Sequence, residues 1–167
     1  AFWEHQPLRT DPLDGALTMH RSIAWGSLVD FIVLDGRQHR SDQPCGDGGA
    51  MYPDCADRDN PSNTVLGASQ KSWLQAQLEA ERGHWSVLAN PVTMTPVPLY
   101  PNSHNMDWWD GYPAERREVL ASLSGVRNPV VLSGARALGV ASVHADPPGS
   151  PTVATEFLTQ GIAHTTA

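Results

Sequence analysis

The segment between Asn102 and Asp110 concentrates side chains that can carry out chemistry. Between these two residues lie His104, Asn105 and the carboxylate of Asp107. Hard cations prefer carboxylate and amide oxygens, and imidazole suits iron or zinc, so this segment could bind a metal ion. The same side chains suit a capped turn, in which Asn and Asp bond to the backbone. The spacing alone leaves both interpretations open.

Two arginines, Arg37 and Arg40, follow an apolar run that indicates a buried strand. Guanidinium groups in such a place can grip a phosphate through paired hydrogen bonds, which makes Arg37 the candidate substrate-binding residue. They can also pair with the aspartates of the next loop, which is the commoner arrangement for surface arginines. Asn90 ends another apolar run, where its amide can bind a ligand or cap the following turn.

The two cysteines, Cys45 and Cys55, lie ten residues apart in a loop rich in Gly, Asp and Pro. Two free thiols and half of a zinc site are the alternatives, and the zinc site is the weaker because no second Cys/His pair has ligand spacing. A small disulfide-closed loop is the favoured interpretation. It would imply an oxidising compartment.

Composition limits the classes of function. The 167 residues carry 11 Lys and Arg against 18 Asp and Glu, which gives a net charge of −7. An acidic chain repels nucleic-acid phosphates, so we expect no nucleic-acid-binding module. No apolar run approaches the length that spans a membrane. Gly and Pro number 14 each, so loops occupy much of a chain whose length suits one domain.

These candidate residues need elements that position them. Apolar runs predict strands and a three-to-four spacing of apolar residues predicts helices, and the two alternate along the chain. Such alternation indicates an α/β layered fold, in which ligands gather at the carboxyl ends of the strands. We expect Trp25 and Trp85 to pack in the core. The predicted strands are 22–25, 28–34, 85–90, 128–133 and 152–157, and the predicted helices are 66–83 and 113–124.

Several sequence blocks together resemble the PhoD-like alkaline phosphatases. They keep the family's order over nearly the whole chain, and the blocks LDGRQHRSDQPCGD and DWWDGYP are specific. The resemblance implies an α/β sandwich of mixed sheets flanked by helices, incomplete here, with residues 1–167 as the C-terminal part of the metallophosphatase domain. The matching blocks are FWEHQPLR, WGSLVDFIVLDGRQHRSDQPCGD, LGASQKSWL, WSVLAN, NMDWWDGYPAER, NPVVLSG and SPTVATEF.

The resemblance also implies a chemistry. Family members hydrolyse phosphate monoesters and diesters at a cluster of iron and calcium ions, and they are secreted or periplasmic. The substrate expected here is therefore a small phosphoester. No catalytic residue is assigned, and both ends of the chain look cut, as expected of a piece of a larger protein.

Carried over residue by residue, the family pattern makes Asp107 the best metal ligand and Asp110 the second. A further Asp and His ligand should follow Gly134, but Ala135 and Ala137 stand there, with Arg136 between them. Alanine cannot bind a cation. The chain as given is therefore predicted to be inactive, and the alternative is a non-catalytic relative or binding domain on the same scaffold.

Overall fold

A six-stranded mixed sheet forms the centre of the structure, a computed structural model that describes residues 17–47, 49, 52–80, 82–96, 101–134, 139–145 and 149–159. The strand order is β1-β2-β4-β6-β8-β7, and a second sheet pairs β3 with β5. Strands β2, β4, β6 and β8 run parallel, while β1 and β7 pair antiparallel at the two edges. The bounds are β1 Arg21–Trp25, β2 Val29–Val33, β3 Tyr52–Pro53, β4 Trp85–Asn90, β5 Ser103–His104, β6 Pro129–Gly134, β7 Gly139–His144 and β8 Thr152–Thr159.

Two helices, Gly67–Ala80 and Pro113–Leu123, cover one face of the large sheet. Alternate strand residues point to that face, and Ile32, Leu88 and Val131 stand opposite one another in register across three strands. They form one buried cluster with leucines of both helices, Leu74, Leu78, Leu120 and Leu123. This apolar layer fixes the strands that carry the site.

Side chains in the loops set where the two helices begin. Thr64 Oγ1 accepts the Gly67 N–H at 2.7 Å, which satisfies one of the free donors at the helix start. The buried carboxylate of Glu115, on the second helix, accepts the Val65 N–H at 2.5 Å and so ties the two helices together. Pro113 opens the second helix, where its missing N–H costs nothing.

The opposite face of the sheet is apolar and, among the described residues, partly open and mostly half-buried. Trp85 stands on it with Val87 and Ala89, because these three residues alternate with Ser86, Leu88 and Asn90 along the strand, and of the three only Val87 is buried. The expectation that Trp25 and Trp85 pack in the core is wrong, because their side chains are 70% and 42% exposed. Both side chains point away from the face that the helices cover. Their positions in the alternating strands therefore leave them exposed although they are apolar.

The α/β class expected from the sequence is confirmed by the mixed sheet and its helices. The hairpin, the three central strands and both helices fall close to their predicted positions. Strand β7 and the short pair β3 and β5 were not predicted. The sequence of β7, GVASVH, is dominated by small residues, which give a weak strand signal.

Candidate active site at the carboxyl ends of the parallel strands

A cleft opens where the parallel strands end. It consists of two adjoining hollows of about 490 and 440 Å³, which share Val33, Leu34 and Pro91. In open α/β sheets, ligands bind in the crevice outside the carboxyl ends of the strands. The polar residues at its rim are Arg21, Asp35, Arg37, Gln38, Asn90, Ser133 and Thr159.

Pro91 forms the floor of the cleft between two glycines. A Cβ atom at Gly36 would lie 2.9 Å from Pro91 Cγ, and one at Gly134 would lie 2.7 Å from the Pro91 carbonyl oxygen. Real side chains do not tolerate such contacts, so glycine is required by close approach at both strand ends. The loops after β2, β4 and β6 are thereby held against one another.

The turn after β2 presents Arg37 to this cleft. Asp35 Oδ1 accepts the backbone N–H groups of Arg37 at 3.0 Å and of Gln38 at 3.2 Å, which closes the turn. The buried amide of Gln70 bonds to both the N–H and the C=O of Asp35, each at 2.8 Å. A helix residue therefore fixes the backbone from which Arg37 projects.

The structure brings Arg37 and Arg40 together on Asp107. Arg37 donates to both carboxylate oxygens, at 2.6 and 2.9 Å, and Arg40 Nη1 donates to Oδ1 at 2.7 Å. Gln43 Nε2 adds a fourth bond at 3.0 Å. Burial of Asp107 raises its pKa, but the hydrogen bonds from both arginines outweigh it, so the pKa lies below the ordinary value. The hydrogen bond to Asp107 raises the pKa of Arg37.

Asp110 lies in a separate set of contacts. Its carboxylate is 3.0 Å from His104 Nδ1 and accepts the Asn105 N–H at 3.2 Å. Arg58 donates to its carbonyl oxygen at 2.8 Å. These bonds match the capped-turn interpretation of the segment, and Asp107 and Asp110 share no donor among the described residues.

A buried polar chain beneath the cleft was missed in the sequence. Glu156 on β8 is 0% exposed, and it accepts hydrogen bonds from Met94 N at 2.7 Å, Thr95 N at 2.8 Å and Ser133 Oγ at 2.5 Å. Asn90 donates to Ser133 Oγ at 3.2 Å and accepts the indole N–H of Trp109 at 3.0 Å. The Asn90 amide also donates to the Val92 carbonyl, as expected of a cap. The only sequence signal was a lone Glu in an apolar strand.

A disulfide joins Cys45 and Cys55, whose Cα atoms are 5.8 Å apart. Its first cysteine lies in a turn at Pro44–Asp47, in which Cys45 has φ 63° and Gly46 has φ 72°. Strands β3 and β5 pair this loop with the start of the 103–110 segment. The disulfide loop therefore braces the residues around Asp107.

The replacements at Ala135, Arg136 and Ala137 lie outside the described residues. Within the described part of the chain, no group of three or more His, Cys, Asp or Glu side chains could hold a metal ion. No helix there is long and apolar enough to cross a membrane.

The structure places Arg37 at the cleft beyond the parallel strands of a mixed α/β sheet, which is where ligands bind in open α/β folds. The chain belongs to the PhoD-like phosphatase family, whose model matches residues 1–167. The resemblance drawn from the sequence blocks is thus confirmed. Alkaline phosphatase D of Bacillus subtilis (strain 168) is 35% identical, over 87% of this chain and 26% of that protein. A solved structure of PhoD matches with a TM-score of 0.85 and 33% identity, over 96% of this chain and 32% of that one.

Proposed function

We propose that this chain takes part in the hydrolysis of small phosphate esters, as the C-terminal part of the catalytic domain of an alkaline phosphatase or phosphodiesterase. The proposal rests on one observation: in this member of a phosphatase family, Arg37 lines the cleft at the carboxyl ends of the strands. The chain spans 26% of the length of its curated relative, alkaline phosphatase D. The activity of the whole protein is therefore part of the proposal.

Arg37 is proposed to bind and orient the phosphoryl group. A guanidinium fork can hold two phosphoryl oxygens at once, which fixes orientation as well as charge. Its positive charge favours the negative charge that develops on those oxygens during hydrolysis. The Asp35 turn and Gln70 hold the backbone of Arg37, which fixes the point from which its side chain reaches the cleft.

The resemblance implies calcium and iron, which when bound would polarise the phosphoryl group. The described residues do not fit such a cluster, because no three ligand side chains converge and the Asp107 carboxylate already accepts four hydrogen bonds. Metal ligation by Asp107 and Asp110 stays a prediction, and we derive no step through the metals. We propose that the 167-residue chain alone does not turn over phosphate esters.

A second candidate is a non-catalytic relative on the same scaffold. It is favoured by the sequence Gly134-Ala135-Arg136-Ala137, which lacks the carboxylate and imidazole that the family pattern places after Gly134. The first candidate requires the cleft to bind a phosphate ester, whereas the second does not. They differ in whether a longer protein containing this chain hydrolyses it.

Secretion, or location in the periplasm, belongs to the same proposal. The disulfide supports it, because such bonds persist in oxidising compartments.

The test is binding of p-nitrophenyl phosphate to the 167-residue chain by saturation-transfer NMR. We expect binding that Arg37→Gln abolishes and that Arg82→Gln leaves unchanged. Arg82 is the matched control, since its side chain is similarly exposed but pairs with Asp30, at the amino ends of the strands. Equal binding by the wild type and Arg37→Gln would contradict the proposal. Release of p-nitrophenol by the chain alone would contradict its inactivity.

A further inference from the structure

The environment of Asp107 resembles an occupied anion site. Four donors from three residues converge on its carboxylate, two from Arg37, one from Arg40 and one from Gln43. We propose that Arg37, Arg40 and Gln43 form a phosphate-binding site whose internal occupant is Asp107, so that a phosphate group binds there by displacing the carboxylate. The proposal deepens the proposed function and rests on it, because Arg37 is the residue that both invoke.

The donor set suits a phosphate at least as well as a carboxylate. Three of the four donors bond Asp107 Oδ1 and the fourth bonds Oδ2, so the donors crowd one oxygen of the carboxylate. A phosphate offers three terminal oxygens with more negative charge. The Arg37 fork bonds both Asp107 oxygens, and guanidinium groups make the same paired contact with phosphate.

The charges in the cluster favour an added anion. In the described part of the chain, the ion pairs of Arg37 and Arg40 are made with Asp107, so two guanidinium groups share one carboxylate. Among the described residues, one of these two positive charges is therefore left without an ion-pair partner. A phosphate dianion in place of Asp107 would balance both.

The cluster is accessible from the side of the cleft. The Arg37 side chain is 52% exposed and Asp107 is 30% exposed, whereas Arg40 is 14% exposed. Arg37 also lines the cleft. An arriving anion would therefore meet Arg37 first, and the more buried Arg40 would form the back of the site.

Competition by Asp107 has a measurable consequence. If the site is free of the Asp107 carboxylate for only a fraction of the time, its apparent affinity for phosphate is reduced by that fraction. An ion pair that solvent still reaches is worth a factor of about 1.4 to 5 in an equilibrium constant, and solvent reaches Asp107, the carboxylate of both pairs. Removing both pairs should therefore strengthen phosphate binding by about tenfold.

The experiment is calorimetric titration of the 167-residue chain with inorganic phosphate at low ionic strength. We expect Asp107→Asn to bind phosphate about tenfold more tightly than the wild type, and Asp107→Asn with Arg40→Gln to lose that gain. Asp59→Asn is the matched control, because it removes a carboxylate that lies 3.6 Å from Arg117. It should leave the affinity unchanged.

Two results would overturn the inference. One is a folded Asp107→Asn variant that binds phosphate no more tightly than the wild type. The other is saturable calcium binding by the wild type that Asp107→Asn abolishes, which would make Asp107 a metal ligand. If Arg37→Gln abolishes phosphate-ester binding while Asp107→Asn gives no gain, the inference fails and the proposed function stands. If Arg37→Gln has no effect, the proposed function fails.

A measurement on the unmodified chain covers the case in which Asp107→Asn does not fold. The side-chain nitrogen NMR signals of Arg37 and Arg40 should shift on titration with phosphate and stay in place with chloride at equal ionic strength. Signals of both arginines that respond equally to the two salts would contradict displacement of Asp107.

Discussion

Replacing Glu156 by Gln should destabilise the protein severely. The carboxylate is fully buried and accepts three hydrogen bonds, from Met94 N, Thr95 N and Ser133 Oγ. Glutamine keeps one acceptor oxygen and turns an NH₂ group toward donors. At least one backbone N–H is then left without an acceptor in the core.

The size of the loss follows from these contacts. Hydrogen bonds to a charged group are worth about 1.5–3 kcal/mol each, and breaking a buried charged network costs about 3–5 kcal/mol in total. Domains of ordinary stability have about 5–15 kcal/mol to lose. For a chain of this length the loss corresponds to a fall of about 6–20 °C in the unfolding temperature.

Thermal and urea unfolding followed by circular dichroism would measure the stability that Glu156→Gln loses. Glu79→Gln is the control, since Glu79 lies on the exposed side of the Gly67–Ala80 helix, and it should change stability by less than about 0.5 kcal/mol. A loss below about 1 kcal/mol for Glu156→Gln would refute the view that this carboxylate holds the segment after β4.

Three further results are expected. Reduction of Cys45–Cys55, which closes a loop with a sequence separation of 10, should cost about 3 kcal/mol and lower the unfolding temperature by about 6–12 °C. Titration of two free thiols without reductant would contradict the bond. Burial holds the pKa of His20 below its ordinary value, so the stability from its neutral form is present above about pH 6.5 and is lost as pH falls through the folded pKa. His20→Gln should therefore flatten the change in unfolding temperature between about pH 5 and 7.5, and an unchanged slope would contradict it. Gly134→Ala should cost about 1–3 kcal/mol by unfolding assays, because its Cβ would meet the Pro91 carbonyl oxygen; a neutral result would show that the floor of the cleft can move.

The central strands and both helices could be predicted because their signals are local. The apolar runs that became β2, β4 and β6 indicate buried strands in the sequence, and the structure buries one face of them against the helices. The bond between Cys45 and Cys55 agrees with the disulfide-closed loop that the sequence favours because the two cysteines lie close together in a loop-rich segment.

The partners of the site residues could not be predicted, because they are distant in sequence. Pairing of Arg37 and Arg40 with an acid was expected, but from the adjacent loop, and the acid is Asp107, about 70 residues away. The role of Glu156 has no local signal for the same reason, since its donors Met94 and Thr95 lie about 60 residues upstream. Such contacts depend on which strand neighbours which, and no local pattern records that order.

The most direct test of the central claim is to map where a phosphate ester binds. Backbone amide NMR signals of the 167-residue chain would be followed during titration with p-nitrophenyl phosphate. The account predicts that the largest shifts fall on Gly36, Arg37, Asn90 and Gly134, at the carboxyl ends of β2, β4 and β6, and that Arg37→Gln removes them. Shifts confined to the open sheet face, or shifts that persist in Arg37→Gln, would contradict a phosphate-ester site in this cleft.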